Sequence, residues 1–352
     1  MKRNLPSAAY SKLTLQGDRV DINAESAIEI VAEILLQRGC SLETAQTVAD
    51  HLADSSLCGV ESHGLMRILQ YAKQFESGYM DAKASAFVWR NEYGGDEVDG
   101  GGGIGIPAMQ LAYDHAMTLA RKTGIAAIAI RHLGHTGRHG AFAETAADQG
   151  FLTILTGGGN RHQWPQVAPY GGMKGVLPTN PWCAGIPGGE RGPVVLDFAT
   201  AKIAGGWIYA AQSAGALLPE HCVIDAEGRP TRNPQDYFEG GAILPSGEQK
   251  GYALALVAEM IGEAMLGPST TECHWLLITI DTRRYREPSA MTRAAEEVLS
   301  ELRSCPPGPG FDQVEIPGER ERDNRARSKG VVSIPEATWQ QIMTLHDTGM
   351  VP

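Results

Sequence analysis

Three side chains with complementary chemistry recur at intervals of four residues. They are His63, Arg67 and Tyr71, and the preceding Ser62 is of a type that begins helices by accepting backbone N–H groups. The planar guanidinium of arginine binds a carboxylate with two hydrogen bonds, and an imidazole exchanges a proton near neutral pH. The spacing predicts a helix, starting at Ser62, whose face presents a carboxylate-binding group beside a proton donor. Reduction of a 2-oxo acid needs both groups, although an ordinary solvated helix face has the same spacing.

A second group of histidines follows the apolar stretch IAAIAI at 125–130. His132, His135 and His139 lie in the sequence RHLGHTGRHG, directly after a predicted strand, which is where the sites of α/β proteins collect. Their spacings of three and four leave several alternatives open. One is a catalytic histidine held by a glycine-rich turn, for which His135 is favoured; another is a set of surface histidines. The third, of another class, is a metal-dependent hydrolase that also uses His162.

Hydrophobic periodicity predicts the elements that must position these groups. Helical periodicity over 25–39, 42–58 and 62–77 indicates an N-terminal helical layer. Further helices are predicted at 107–122, 140–149, 250–266 (long and buried) and 290–303, and strands at 125–130, 152–155, 193–198 and 275–280. Residues 157–193 are predicted to be mostly loop, and 306–330 a polar tail. This order divides the chain into a helical part (1–100) carrying the catalytic helix, an α/β core (101–285) and a C-terminal segment (286–352) that returns to the N-terminal part.

Composition excludes several classes of partner. The net charge of −11 and the lack of a Lys/Arg block argue against nucleic acid and anionic membranes. The six cysteines include no Cys-x-x-Cys pair, which indicates reduced thiols in a cytoplasmic protein. The segment MKRNLPSAAYSKL lacks an apolar region, so no signal peptide is expected. No apolar run reaches membrane-spanning length.

The stretch from Gly103 to Ala108 fits the dinucleotide fingerprint G-x-G-x-x-A and precedes a helix. We reject a Rossmann site here for three reasons. The preceding NEYGGDEVDG does not resemble a strand. Pro107 stands where a helix simply begins well. The next predicted strand ends in Arg131-His132, with no acidic residue to bind a ribose.

A series of short motifs resembles the malate/L-lactate dehydrogenase family, which is unrelated to the Rossmann lactate dehydrogenases. The similarity runs from about residue 25 to residue 345, and its hydroxycarboxylate dehydrogenase branch is the most similar. The motifs, in order, are Gly59-Val60-Glu61-Ser62-His63-Gly64 with Arg67 and Tyr71, Gly134-His135-Thr136-Gly137, residues 167–172, Thr179-Asn180-Pro181, residues 196–200, Lys250-Gly251-Tyr252 and Pro317-Gly318-Glu319.

The resemblance implies an α/β fold that binds NAD(P) without a Rossmann domain, on a mixed, largely antiparallel sheet with an N-terminal helical layer. It implies NAD or NADP as cofactor, a small 2-oxo acid as substrate and a homodimer with sites near the subunit interface. The core (101–285) is then the cofactor-binding part. The expected reaction moves a hydride between NAD(P)H and the 2-oxo acid to give a 2-hydroxy acid.

The resemblance also implies roles for individual positions. His63 and His135 match the proton donor or acceptor, Arg67 the carboxylate-binding residue, and Ser62 a position near substrate or nicotinamide. Tyr71 and Gly159 are expected to line the substrate site. The expected cofactor contacts are Thr179, Asp197, Thr200, Ala201, Lys250, Gly251, Pro317, Gly318 and Glu319.

Three positions depart from the family pattern. Pro178 stands where glycine is usual, and Ala201 replaces a serine hydroxyl that could contact the cofactor. The glycine-rich stretch before the lysine is here Ser246-Gly247-Glu248-Gln249, which adds a carboxylate beside Lys250. The choice between NAD and NADP therefore stays open. Reduction of cyclic 2-imino acids of the pyrroline- or piperideine-carboxylate type is an alternative activity.

Overall fold

The computed structural model describes residues 18–213 and 215–352. The expectation about a signal peptide concerns residues 1–13 and lies outside the described residues. None of the described helices is both long and apolar enough to cross a membrane.

The central sheet contains seven of the described strands. They are β2 Phe87–Arg90, β3 Asp96–Asp99, β4 Ile125–Arg131, β5 Phe151–Gly158, β6 Trp182–Gly189, β7 Gly192–Phe198 and β11 His274–Asp281. Their order in the sheet is β2-β3-β4-β11-β5-β6-β7; five neighbouring pairs are antiparallel, and only β3 and β4 run parallel. The predicted mixed, largely antiparallel sheet is therefore confirmed, and its antiparallel centre excludes a doubly wound parallel sheet.

The predicted N-terminal helical layer is also confirmed. It consists of α1 (Ala24–Gln37), α2 (Leu42–Leu57) and α3 (Arg67–Glu76). Asn23 and Ser41 begin α1 and α2, because their side chains accept hydrogen bonds from backbone N–H groups of the first turn.

The first and last described strands form a separate two-stranded sheet. β1 (Arg19–Asn23) pairs antiparallel with β12 (Val331–Pro335). The guanidinium of Arg19 donates to the carbonyl oxygen of Ser333 at 2.6 Å, across 314 positions of sequence. It also forms an ion pair of 2.6 Å with Glu61, which lies in the predicted catalytic segment.

The remaining elements complete the core. They are α4 (Gly105–Thr123), α5 (His139–Asp148), α6 (Gly205–Ser213), α7 (Pro234–Phe238), α8 (Gln249–Glu259), α9 (Pro288–Ser304), α10 (Glu319–Ser328) and α11 (Glu336–Thr348), with a small sheet of β8 (Val223–Ile224), β9 (Pro230–Thr231) and β10 (Ala242–Ile243). This small sheet and α6 share a second apolar cluster that includes Ile208, Val223 and Ile243.

Several predicted boundaries are wrong. The segment 157–193 is mostly loop, as predicted, but it also contains strand β6, whose glycines and proline conceal its strand character. The long helix at 250–266 is α8 followed by a π-helix, Met260–Met265, and one apolar face of it is exposed. The polar tail contains α10, whose low apolar content gives no core-facing periodicity.

The rejected dinucleotide motif lies in a strand–helix–strand unit after all. β3 precedes it, so the first of the three reasons for rejecting it is wrong. The glycine-rich turn is nevertheless filled by protein: the N–H of Gly105 donates to the carbonyl of His135 at 3.0 Å. A Cβ on Gly105 would lie 2.7 Å from the Thr136 methyl, so no phosphate can approach this turn.

Candidate active site

The residues predicted to begin the catalytic helix form a separate short turn. Glu61–His63 is a 3₁₀ turn, and α3 begins only at Arg67. Gly64 is extended between them, and a side chain there would overlap the hydroxyl of Ser56, which accepts a backbone hydrogen bond at 3.0 Å. The prediction of one helix from Ser62 is therefore wrong, because the extended backbone at Gly64 separates the turn from α3.

The guanidinium of Arg67 is held at two of its three nitrogens. Nε donates to the carbonyl oxygen of Ser62 at 2.5 Å, and Nη1 is bonded to Gln70. Nη2 has no hydrogen-bond partner among the described residues. An oriented cation with one free nitrogen is suited to receiving a carboxylate.

Tyr71 connects α3 to the second histidine group. It is fully buried, one turn after Arg67, and its hydroxyl lies 2.8 Å from Nδ1 of His135. The backbone N–H of Gly137 donates to the same nitrogen at 3.3 Å. Because that N–H can only donate, Nδ1 is the unprotonated nitrogen and the neutral ring carries its hydrogen on Nε2.

The two predicted catalytic imidazoles are adjacent, with ring centroids 5.3 Å apart. Nδ1 of His63 lies 2.9 Å from the Ser62 hydroxyl, which can donate or accept. Burial and the Arg67 charge lower the pKa of His63 to about 3. The same two causes, with His63 itself, hold the pKa of His135 well below its usual value. Both rings are therefore neutral at pH 7 beside the charged Arg67.

The other histidines of the predicted metal site have separate partners. His132 lies 3.2 Å from Asp99, and His139 bonds Thr136 at 2.6 Å and packs against Trp275. Within 18–213 and 215–352, no group of three or more His, Cys, Asp or Glu side chains could hold a metal ion. The geometry gives the hydrolase alternative no support.

The buried carboxylate of Glu259 joins the loop that contains Gly159 and Arg161 to the Thr179-Asn180 segment. Glu259 accepts hydrogen bonds from the N–H of Gly159 at 3.0 Å, the N–H of Arg161 at 3.2 Å and the amide of Asn180 at 2.9 Å. We call this set the Glu259 bridge. Gly159 has φ +92°, and a Cβ there would lie 2.9 Å from the backbone of Gly262, so both features require glycine.

Thr200 continues this connection into the predicted cofactor segments. Its hydroxyl donates to the carbonyl of Thr179 at 2.8 Å and to that of Asn180 at 3.1 Å. Its carbonyl accepts from the N–H of Ser246 at 2.7 Å, close to the start of α8. These contacts bring together the predicted positions Thr179, Thr200, Ala201, Lys250 and Gly251. Thr200, Ala201 and Gly251 are buried, whereas Lys250 is exposed.

Three of the remaining four predicted cofactor positions border a cavity of about 430 Å³. Its walls include Asp197, Pro317 and Gly318, and it reaches Val60, two residues before Ser62. The carboxylate of Asp197 accepts from the N–H of Gly140 at 2.7 Å. The cavity thus extends from the catalytic turn to the Pro317-Gly318 turn.

Glu319 faces away from this cavity into a set of ion pairs. It is buried, and its carboxylate contacts Arg303 at 2.8 Å and Arg191 at 3.3 Å. It also accepts from the N–H of Ile316 at 3.4 Å. These contacts fix the turn formed by Pro317 and Gly318.

Two acidic residues near the site, Glu259 and Glu272, were not predicted from the sequence. Glu259 carried a usable signal, because a lone carboxylate inside an apolar helix must find hydrogen-bond donors when buried. Glu272 carried none, since it lies in an irregular loop. Its carboxyl has a raised pKa because of burial, and Arg67 opposes that rise.

The chain is similar in sequence to known dehydrogenases. A model described as malate/L-lactate dehydrogenase matches residues 22–343. The chain is 30% identical over 333 residues to L-sulfolactate dehydrogenase of Methanocaldococcus jannaschii, covering 91% of this chain and 95% of that protein. It is 31% identical over 345 residues to hydroxycarboxylate dehydrogenase B of Escherichia coli K12, covering 93% of each.

A solved structure of a related enzyme has a similar fold. The fold superimposes on that of delta1-piperideine-2-carboxylate reductase from Pseudomonas syringae with a TM-score of 0.81 and 29% sequence identity. The match covers 93% of this chain and 99% of that one.

Proposed function

The chain belongs to the malate/L-lactate dehydrogenase family, and we propose from this that it reduces a small 2-oxo acid to a 2-hydroxy acid with NAD(P)H. It is an oxidoreductase of the 2-hydroxyacid dehydrogenase type. The observation that carries the substrate class is the Arg67 guanidinium, which has one free nitrogen beside two neutral imidazoles.

The substrate carboxylate binds Arg67, and this contact places the carbonyl group near His63 and His135. The bound nicotinamide supplies or accepts the hydride. Arg67 is oriented in advance by Ser62 and Gln70, so little order is lost when the substrate arrives.

The two imidazoles have different roles. His63 exchanges the proton at the substrate oxygen, because its Nδ1 partner is a hydroxyl that permits either protonation state. His135 stays neutral and donates a hydrogen bond from Nε2, because the N–H of Gly137 and the hydroxyl of Tyr71 face its Nδ1. When a carboxylate compensates Arg67, the main charge that lowers the pKa of His63 is neutralised. Binding of a 2-oxo acid anion therefore raises that pKa and favours the imidazolium that donates the proton.

The residues present suit a nicotinamide dinucleotide. The cavity of about 430 Å³ offers a carboxylate, Asp197, for ribose hydroxyls, and the glycine turn at Gly318 leaves its wall open. We assign the cofactor to this cavity and to Thr179, Thr200, Ala201, Lys250 and Gly251. Glu319 acts on it indirectly, by holding Pro317 and Gly318 in place.

An exposed apolar surface supports a homodimer as the working form. α8 and the following π-helix expose Leu254, Leu256, Val257, Met260 and Met265. Monomeric proteins rarely expose a continuous apolar surface of this kind, and a helix that is apolar on both sides is typical of one packed between two partners. The opposite side of the same helix carries Glu259, so a second copy would support the Glu259 bridge from behind.

Cyclic 2-imino acids are the second candidate substrates, favoured by the similarity to the piperideine-carboxylate reductase. Arg67 would bind their carboxylate in the same way. The test is a screen of 2-oxo acids and cyclic imino acids with NADH and NADPH, followed by the loss of nicotinamide absorbance. Turnover of 2-oxo acids supports the main proposal, and turnover of cyclic imines alone replaces it with the second. A protein that oxidises neither cofactor with any of these compounds contradicts both.

A further inference from the structure

Arg322 is a cation without a partner in the wall of the cavity. It is half-buried, and its Nη1 is enclosed by protein yet has no hydrogen-bond partner. Among the described residues its guanidinium forms no ion pair. Burial raises the pKa of the Asp148 carboxyl and Arg322 opposes that rise, but the two groups form no ion pair. A guanidinium that lines a cavity without an acceptor can bind an anionic ligand there.

The other arginine side chains in the cavity wall already form ion pairs with acidic residues. Arg138 contacts Asp54 at 2.7 Å, and Arg320 contacts Glu321 at 2.6 Å. The acidic walls are largely engaged as well: Glu144 is paired with Arg325, and Asp197 accepts from a backbone N–H. Glu315 is exposed to solvent, where its charge is screened. Arg322 is thus the cation that the cavity leaves for an anionic ligand.

The local backbone fixes where this cation lies. A Cβ on Gly318 would be 3.0 Å from Nη1 of Arg322 and 3.2 Å from Cβ of Val195. Gly318 has φ +94° and no side chain, so the guanidinium packs directly against its turn. The N–H of Val195 donates to the carbonyl of Pro317 at 3.0 Å, which joins this turn to β7.

Strand β7 brings Asp197 to the same side of the cavity as this turn. Asp197 follows Val195 by two residues, so their side chains leave β7 on the same face, about 7 Å apart along the strand. The Gly318 turn beside Val195 carries the Arg322 guanidinium against it. At the ribose of a dinucleotide, an acidic side chain bonds the 2′-hydroxyl of NAD, whereas a nearby arginine accommodates the 2′-phosphate of NADP. Asp197 is already engaged by the N–H of Gly140, whereas the Arg322 guanidinium has no acceptor among the described residues.

We propose that Arg322 binds the 2′-phosphate of the cofactor and that the enzyme prefers NADPH to NADH. This inference rests on the proposed function, because it assumes that the cavity holds the adenosine half of a nicotinamide dinucleotide. Asp197 receives the remaining ribose hydroxyl. Arg320, although close in sequence, takes no part because Glu321 already occupies it.

The experiment measures binding of NADPH and NADH to the intact enzyme by cofactor fluorescence, without substrate. It is repeated by calorimetry with 2′,5′-ADP and with 5′-AMP. The variants are Arg322→Gln and Arg322→Lys, and Arg327→Gln, an exposed arginine of the same helix outside the cavity wall, is the matched control. Thermal unfolding of each variant establishes that it is folded.

The wild-type enzyme is expected to bind NADPH more tightly than NADH. Arg322→Gln should weaken NADPH and 2′,5′-ADP by at least about tenfold and NADH and 5′-AMP by less than about twofold, because one charged hydrogen bond is lost. Arg322→Lys should restore part of the NADPH affinity, and Arg327→Gln should leave the binding of both cofactors unchanged.

Three outcomes overturn the inference: equal weakening of both cofactors, no weakening of either, or a wild-type enzyme that binds NADH as tightly as NADPH. In each of these cases the enzyme still binds a nicotinamide cofactor, so the proposed function stands. Binding of neither cofactor by the wild-type protein would contradict the proposed function as well.

Discussion

At the scale of single residues, the site depends on the difference between two hydroxyl–imidazole contacts. The Ser62 hydroxyl can donate to Nδ1 of His63 or accept from it. Nδ1 of His135 instead faces the backbone N–H of Gly137, which can only donate. Arg67 acts on both rings by keeping them neutral until a carboxylate compensates its charge. Substrate binding and proton uptake are therefore coupled through one guanidinium.

Replacement of Arg67 tests this arrangement directly. Arg67→Leu is expected to lower kcat/KM for the 2-oxo acid at least about 100-fold, because the cation that binds the carboxylate and its charged hydrogen bond from Nη2 are lost. NAD(P)H binding, measured by fluorescence, should not change. Lys73→Ala, which removes an exposed cation from the same helix, is the control and should leave both quantities unaltered. Normal turnover by the leucine variant would remove Arg67 from the site.

The lowered pKa of His63 predicts an unusual pH profile for the reverse reaction. Oxidation of the 2-hydroxy acid needs His63 neutral, and in the free enzyme its pKa is about 3. A depressed pKa keeps the base unprotonated at lower pH, so kcat/KM for oxidation should stay level from pH 8 down to about pH 5. A histidine of ordinary pKa would lose activity below about pH 6.5.

Two asparagine variants assign the step. His63→Asn should remove most of the rate at every pH, since no proton acceptor remains. His135→Asn should retain the shape of the profile at a reduced rate. If His135→Asn alone changes the shape of the profile, the roles of the two rings are reversed.

At the scale of elements, the site is assembled by short irregular segments between regular ones. The catalytic turn is separated from α3 by Gly64, and the π-helix carries the chain away from Glu259. Both irregularities lie where a functional side chain must be aimed, which is common for π-helical turns. The Glu259 bridge fixes the loop of Gly159 and Arg161 relative to the Thr179-Asn180 segment.

Glu259→Gln should therefore affect two ligands together. The amide nitrogen of glutamine would face the N–H donors that now meet a carboxylate, and the free energy of unfolding should fall by about 3 kcal/mol. The KM values for substrate and cofactor should both rise several-fold. Glu227→Gln is the control, since it removes an exposed ion pair with Arg229, and exposed ion pairs contribute little to stability. A change in kcat alone, with both KM values unchanged, would contradict the bridging role.

Sequence patterns predicted these elements unevenly. Strands such as IAAIAI and WLLITI were predictable because short apolar runs bounded by turn residues are typical of buried strands. β6 was not, because its sequence WCAGIPGG carries the glycines and proline that usually indicate loops. The spacing of His63, Arg67 and Tyr71 identified the right residues through an incorrect helix. The close packing of Gly64 against Ser56, which leaves no room for a side chain, is a contact that no local pattern contains.

At the scale of the whole molecule, the described chain presents an apolar helix surface directly behind its active site. Leu256→Glu and Val257→Lys are each expected to convert a dimer into a monomer in sedimentation experiments, because a charge would be buried at its centre. Leu302→Glu changes an exposed leucine on α9 and should leave the dimer intact. A monomeric wild-type protein would refute the proposed interface.

The pairing of β1 with β12 also bears on when the enzyme becomes active during its synthesis. Arg19 supports the catalytic turn through Glu61 and is itself held by Ser333, 314 positions later. A ribosome releases the N-terminal segment long before the last strand, so this support forms only once nearly the whole chain has emerged. Contacts of such long sequence separation also form slowly, since a large loop must close first. Nascent chains that lack β12 should therefore have their cofactor cavity largely built and still be inactive.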